Sequence, residues 1–169
     1  MDDRIRTIEQ LHGRYAGVLY DKCVRLLGDR TEAEDAVQET FINAFRALAD
    51  FEERERGHLP WLYRIATNVC LKIIRTRKRK GAKQLGDLEP AAPGSSDPAE
   101  AAHFRTVLDR LAGQVDERTM EIVVAHYLDG IEQGEIARHY GISRRAVVKR
   151  LTSLRAKVGH LLENGGKHA

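Results

Sequence analysis

The chain has 169 residues, of which 42% are hydrophobic and 31% charged, with a formal net charge of +3 at pH 7; this is the composition of a soluble globular protein of one ordinary domain or two very small ones. So slight an excess of cations gives no affinity for nucleic acid by itself, so any such affinity must come from clustering. The two cysteines exclude a disulfide framework or a local zinc motif, the seven histidines form no pair at metal-ligand spacing, and no stretch approaches the roughly 20 apolar residues of a membrane span or opens as an apolar leader. The expectation is a reduced, cytoplasmic protein without metal, cofactor or membrane insertion.

In chain order, the first helical pattern runs from Ile5 to Leu27 and closes at Gly28, with Gly13 and Gly17 weakening its continuity. A second begins after Thr31, read as an N-cap with Glu34 three residues on as a capping box. Its apolar stripe is Val37, Phe41, Ala44 and Leu48, which leaves Asp35, Gln38, Glu39 and Asn43 outside. Most such polar patches are merely solvated, and this one alone decides nothing.

The third pattern runs from Leu59 to Lys80, with Pro60 tolerated in the first turn. Leu62, Ile65, Ala66, Val69 and Ile73 make its core face. Trp61, Arg64, Asn68, Lys72 and Arg75 form a separate row that can face nucleic acid. Trp61 suits either the core or stacking on an unpaired base. Arg75, Arg77, Lys78, Arg79 and Lys80 crowd more cations together than offsetting the helix dipole requires, which favours phosphate contact.

From Gly81 to Pro98, glycines, prolines and serines break every period, and Asp87, Glu89 and Asp97 face Lys83 alone. The segment 81–98 reads as a flexible, acidic linker. The fold class expected is all-α: two small helical domains, 1–80 and 99–169, of which the second is a helix-turn-helix. Its helices are expected at Ala99–Leu111, Glu117–Leu128, Glu132–Tyr140 and Ser143–Leu162. Gly141 can end one helix in the left-handed conformation and Ser143 can cap the next. In the last helix Val147, Leu151, Leu154 and Val158 point inward. Ser143, Arg144, Arg145, Val148, Lys149 and Thr152 are left for DNA: arginine for a guanine edge, lysine for phosphate, threonine for a base or a thymine methyl. The chain carries no Gly-rich phosphate loop, nucleophile elbow or convincing carboxylate pair, so no enzyme activity is expected.

In order and spacing, the stretches Leu27-Gly-Asp-Arg-Thr-Glu-Ala-Glu-Asp-Ala-Val-Gln-Glu-Thr-Phe41, Pro60-Trp-Leu-Tyr-Arg-Ile-Ala-Thr-Asn68, Tyr127-Leu-Asp-Gly-Ile131, Glu135-Ile-Ala137 and the helix from Ser143 resemble the extracytoplasmic-function branch of bacterial sigma factors. These are minimal factors with only the second and fourth conserved regions, and the resemblance covers nearly the whole chain. It implies core RNA polymerase as partner, through its β′ and β subunits, with Asp35, Gln38 and Glu39 docking on the β′ coiled coil. It implies that Phe51 to Leu59, with Trp61, Asn68 and Lys72, hold the non-template strand of the minus-ten element. The helix from Ser143 would read the minus-thirty-five element, and an anti-sigma protein would grip the chain, as it does many relatives.

The chain departs from the family pattern in several places. Proline is usual where Val115 or Asp116 stands, a small residue where Arg145 stands, and basic residues where Val148 and Ser153 stand; Glu52, Glu53 and Glu55 sit awkwardly near phosphate. Two rival functions predict different behaviour: a dimeric helix-turn-helix repressor or activator needs no polymerase, and a nucleic-acid-modifying enzyme shows turnover.

Overall fold

Helix α1 (Asp3–Leu27) passes through Gly13 and Gly17 unbroken and ends where Gly28 turns left-handed at φ 68°. The computed structural model describes residues 3–51, 57–81 and 97–165; the expected linker therefore lies outside the described residues, apart from its ends. Packing divides the chain into two units, Met1–Ala112 and Gly113–Ala169. Every regular element among the described residues is helical, as the all-α expectation required.

Helix α2 (Arg30–Ala47) starts earlier than its sequence suggests. Its N-cap is Asp29, not Thr31: the Asp29 carboxylate accepts the Glu32 N–H at 2.8 Å, and Thr31 already lies exposed in the first turn. With α1 ended at Gly28, the next residue is the first that can take the extended cap conformation, and Asp29 does so at φ −128°. The helix buries Ala33, Ala36, Val37, Thr40, Phe41 and Ala44. Leu48, expected on this stripe, is only half-buried because the chain tightens there into a 3₁₀ turn, Leu48–Asp50.

Helix α3 (His58–Arg79) packs against both α1 and α2. A helix gripped from two sides buries more than one stripe. Cys70, Leu71 and Ile74 accordingly join Leu62, Ala66 and Val69 in the core, whereas Ile65 and Ile73, expected there, are half-buried. Cys23 and Cys70 are buried thiols that pack as small hydrophobes.

Helix α4 (Pro98–Leu111) has Pro98 in its first turn and is capped by Asp97, whose carboxylate accepts the Ala99 N–H at 3.0 Å. The sequence reading grouped it with the second domain; by packing it lies on α1 and α3 in the first unit. Its apolar face is too sparse for period and composition to name the partner.

The second unit comprises α5 (Glu117–Val123), a π-helical turn at Val124–Leu128, α6 (Gln133–Tyr140) and α7 (Arg144–Gly165). Met120, Ile122, Val124, Ile136, Val147 and Leu151 are among its buried side chains. Val158, expected inward, is half-buried.

Because Asp29 rather than Thr31 caps α2, Asp29→Ala should cost about 1 kcal/mol in urea unfolding, and Thr31→Ala only a few tenths. Equal costs for the two substitutions would return the cap to Thr31.

Candidate nucleic-acid and partner interface

On α2, Asp35, Gln38 and Glu39 are all exposed on one side of the helix, opposite its core residues. At about 100° per residue Ile42 falls inside their arc, and it is 46% exposed, the most exposed large hydrophobic of the described residues. Ile42 carries no polar group, so polarity, the sequence signal for this face, does not mark it. Glu39 accepts from Asn43 Nδ2 at 3.4 Å, which extends the row by a turn.

On α3, Arg64 and Lys72 are exposed, and Trp61, Asn68 and Arg75 are half-buried. Helical geometry brings the five together on one arc. Trp61 is not a lone platform: its ring lies 4.7 Å from that of Phe51, which stacks on His58 at 4.7 Å with an interplanar angle of 26°. Residues 52–56, with Glu52, Glu53 and Glu55 among them, lie outside the described residues. Phe51 and Trp61 stand ten positions apart in the sequence, so no local spacing signalled their pairing. The Asn68 Oδ1 acceptor is buried without a hydrogen-bond partner.

The basic run that ends α3 divides. Arg77 donates to the Leu27 carbonyl at 3.0 Å and pairs with Glu32. Burial pulls its guanidinium below the usual arginine value, against the opposing pull of Asp29 and Asp109. Lys78 is bonded to carbonyls of α4. Arg77 and Lys78, expected on phosphate, instead satisfy backbone acceptors at helix ends.

In the second unit, the turn between α6 and α7 is held from both sides. Gly141 takes φ 61°, the Ile142 N–H returns to the Ala137 carbonyl at 3.0 Å and the Gly141 N–H to Arg138 at 3.4 Å, so α6 closes in a Schellman motif. Ser143 Oγ accepts the Ala146 N–H at 3.1 Å and caps α7, which occupies the oxygen also expected at DNA. Arg118 reinforces the join by donating to the Tyr140 carbonyl while lying over that ring. The side chains of Ser143, Arg144, Arg145, Val148, Lys149 and Thr152 are all exposed, Val148 at 40%.

A second constraint fixes α7 laterally. Arg150 donates to Thr119 Oγ1 at 2.6 Å and to Asp116 at 3.1 Å, and Asp116 also caps α5 through the Thr119 N–H at 3.1 Å. Asp116 therefore ties two helices together. The Thr119 hydroxyl, more than Arg150, holds the Asp116 carboxyl below the usual carboxylate range. This clasp borders an open groove of about 420 Å³ that also meets Lys149, Ser153 and Lys157. Beyond it, Arg155 Nε donates to the hydroxyl of Tyr127, an exposed ring in the π-helical turn. Asp116 and Thr119 stand at cap spacing, a readable signal, whereas nothing local paired Asp116 with Arg150.

Comparison with known proteins bears on these surfaces. The family model for Sigma-70 region 2 matches residues 11–80, the segment that holds α2 and α3. RNA polymerase sigma factor CnrH of Cupriavidus metallidurans is 35% identical over 169 residues, which span 94% of this chain and 87% of that protein. The chain belongs to the extracytoplasmic-function RNA polymerase sigma factors. Like them it directs RNA polymerase to promoters in transcription initiation.

ECF sigma factor SigL of Mycobacterium tuberculosis is 28% identical over 143 residues, 83% of this chain and 80% of its own length. The solved structure of CnrH in complex with the cytosolic domain of CnrY aligns with a TM-score of 0.57 at 30% identity, covering 94% of this chain and 89% of that one. Sigma factor RpoE of Bartonella quintana, solved with the anti-sigma factor NepR, shares the fold at a TM-score of 0.55 and 21% identity, over 94% of this chain and 98% of its own. Sigma factors are as a family non-enzymatic. Among the described residues no acidic, histidine or cysteine cluster fits a metal, and no helix is long and apolar enough to cross a membrane.

A carboxyl held below its unfolded value contributes stability above that value and loses it as pH falls through the folded one. The destabilisation caused by Asp116→Asn should thus be seen in urea unfolding at pH 6 and shrink as pH is taken below 3.8, the reference value for this carboxyl. A difference that stays constant with pH would remove the charge from the argument.

Proposed function

We propose that this sigma factor works through three separate surfaces: Asp35, Gln38 and Glu39 on α2 for docking to the β′ subunit, the α3 row for the minus-ten element, and the outer face of α7 for the minus-thirty-five element. The observation that carries the reading is the exposed row from Ser143 to Thr152, standing on a turn fixed by Gly141, Ser143 and Arg118. In this reading α6, the turn and α7 act as a helix-turn-helix. Arg144 and Arg145 address base edges, Lys149 a phosphate, and Val148 a thymine methyl.

At the minus-ten element, Trp61, Arg64, Asn68, Lys72 and Arg75 receive the separated non-template strand. Melting is driven by binding: unstacking a base costs a few kcal/mol, and stacking and phosphate contacts offset it. The aromatic group of Phe51, His58 and Trp61 supports this role, because an indole braced by a second ring loses little freedom when a base stacks upon it. No nucleotide is hydrolysed by this chain. Segment 81–98 serves as linker and passes along polymerase, where the β subunit completes the second module's contacts. Linked modules on one platform gain effective concentration, so the unassisted chain binds promoters weakly. The chain acts in the cytoplasm, where polymerase is, and an anti-sigma protein covers the docking row, the kind of partner with which RpoE of Bartonella quintana was solved.

Replacing Asp35, Gln38 and Glu39 together by alanine should abolish pull-down of core polymerase at unchanged helicity; retention at wild-type level would sink the docking assignment. Lys149→Ala should weaken promoter binding by holoenzyme about equally on all sequences and lower the salt slope by about 1. A sequence-selective loss in that titration would instead make Lys149 a base reader.

A further inference from the structure

Helix α7 is held in the second unit by contacts that constrain it in different ways. Val147, Leu151 and Leu154 bury one stripe of the helix, each at most 5% exposed. Burial of that kind has no preferred direction, and helices packed by apolar ridges keep a scatter of about 15–20° in orientation. The turn at Gly141 and Ser143 pins only the N-terminal end. Towards the other end Arg155 donates to the Tyr127 hydroxyl at 2.9 Å, but both residues are exposed and compete with water, so this bond follows the helix more than it directs it.

The clasp is different, because it is a closed triangle of side-chain bonds. Arg150 Nη1 donates to Thr119 Oγ1 at 2.6 Å and to Asp116 Oδ1 at 3.1 Å, and the Thr119 hydroxyl donates in turn to Asp116 Oδ2 at 2.6 Å. Thr119 is buried, and its N–H returns to Asp116 at 3.1 Å, so the triangle is anchored at the start of α5. Hydrogen bonds are directional, and the members of a closed network reinforce one another. Lys149 and Lys157 line the same groove, yet of these three cations Arg150 is the one bonded to α5 among the described residues.

Arg150 acts from the flank of α7 that the base readers leave unused. It follows Val148 by two residues and so stands about 160° round the axis from it. It also lies seven residues beyond Ser143, about 10 Å along the helix. Pinned at the turn alone, a helix tilting by about 20° would carry Lys149 about 3 Å sideways and Thr152 about 5 Å, but Arg144 less than about 1 Å. Successive base pairs are about 3.4 Å apart, and a hydrogen bond tolerates about half an ångström. The distal readers would miss their partners while the proximal ones kept theirs.

We propose, resting on the reading of α7 as the minus-thirty-five helix, that Asp116, Thr119 and Arg150 are positioning residues for promoter discrimination: without touching DNA, the clasp sets the tilt of α7 and so decides which base pairs its distal readers distinguish.

The test uses the full-length chain reconstituted with core polymerase, on promoters in which each position of the minus-thirty-five element is randomised in turn. Asp116→Asn keeps the side chain's shape, Thr119→Val removes only the hydroxyl, and Arg150→Met keeps the stem without its donors. Each should flatten discrimination about tenfold at one end of the element and leave it within about twofold at the other. Thr119→Ser, which retains the hydroxyl, should keep the wild-type profile, and the Asp116→Asn, Arg150→Met double variant should lose little more than either single one. All are compared at a temperature where their helicity equals that of wild type. An equal loss at every position marks a purely structural role and overturns the proposal, as does a wild-type profile in all three variants. Flattening by Arg150→Met alone makes Arg150 a DNA ligand and overturns it too. Wild-type factor that discriminates at no minus-thirty-five position defeats the reading of α7 itself, and the clasp's role with it.

Discussion

Burial of α3 between α1 and α2 is the constraint from which the first unit's outer surface follows. Leu62, Ala66, Val69 and Leu71 are each at most 7% exposed, and each large one is worth about 1.5–3 kcal/mol by leaving water. A rotation of the helix that hid Arg64 and Lys72 would bring part of that set out. The cationic row is thus displayed because the apolar set has nowhere else to go, and the same argument assigns Asp35, Gln38 and Glu39 to the open side of α2. Function and packing here are two faces of one periodicity.

Arginine and lysine perform two distinct tasks in this molecule. Arg77, Lys78, Arg105 and Arg118 reach main-chain carbonyls, and Arg150 closes on a carboxylate and a hydroxyl. Those on carbonyls satisfy acceptors that a helix terminus or a packed backbone would otherwise leave unmade. Arg144, Arg145 and Lys149 are instead exposed on α7. A count of basic residues merges the two groups, which is why the run from Arg75 to Lys80 reads in sequence as one phosphate-binding cluster and in the fold as a partly structural one.

Much of the architecture was legible beforehand for local reasons. Gly28 and Gly141 were readable as left-handed stops and Ser143 as a cap, because each acts within a few residues of itself. The exposure of the five α7 residues Arg144, Arg145, Val148, Lys149 and Thr152 followed from the spacing of Val147, Leu151 and Leu154. What escaped depends on partners distant in sequence: the seat of α4, whose sparse apolar face names no neighbour, the pairing of Phe51 with Trp61, and the clasp of Arg150 on Asp116. The misplaced cap at Thr31 is a local error. Two candidate caps stood two residues apart, and the position of the preceding glycine decided between them.

Val148 stands open on the outer face of α7, beside the exposed cations Arg144, Arg145 and Lys149. An isopropyl group carries no donor or acceptor, so in the proposed reading a poorly matched base deprives it of a van der Waals contact without stranding a polar group. Discrimination at that position is then shallow. The genes served would form a continuum graded by strength, with no sharp edge between those that are read and those that are ignored.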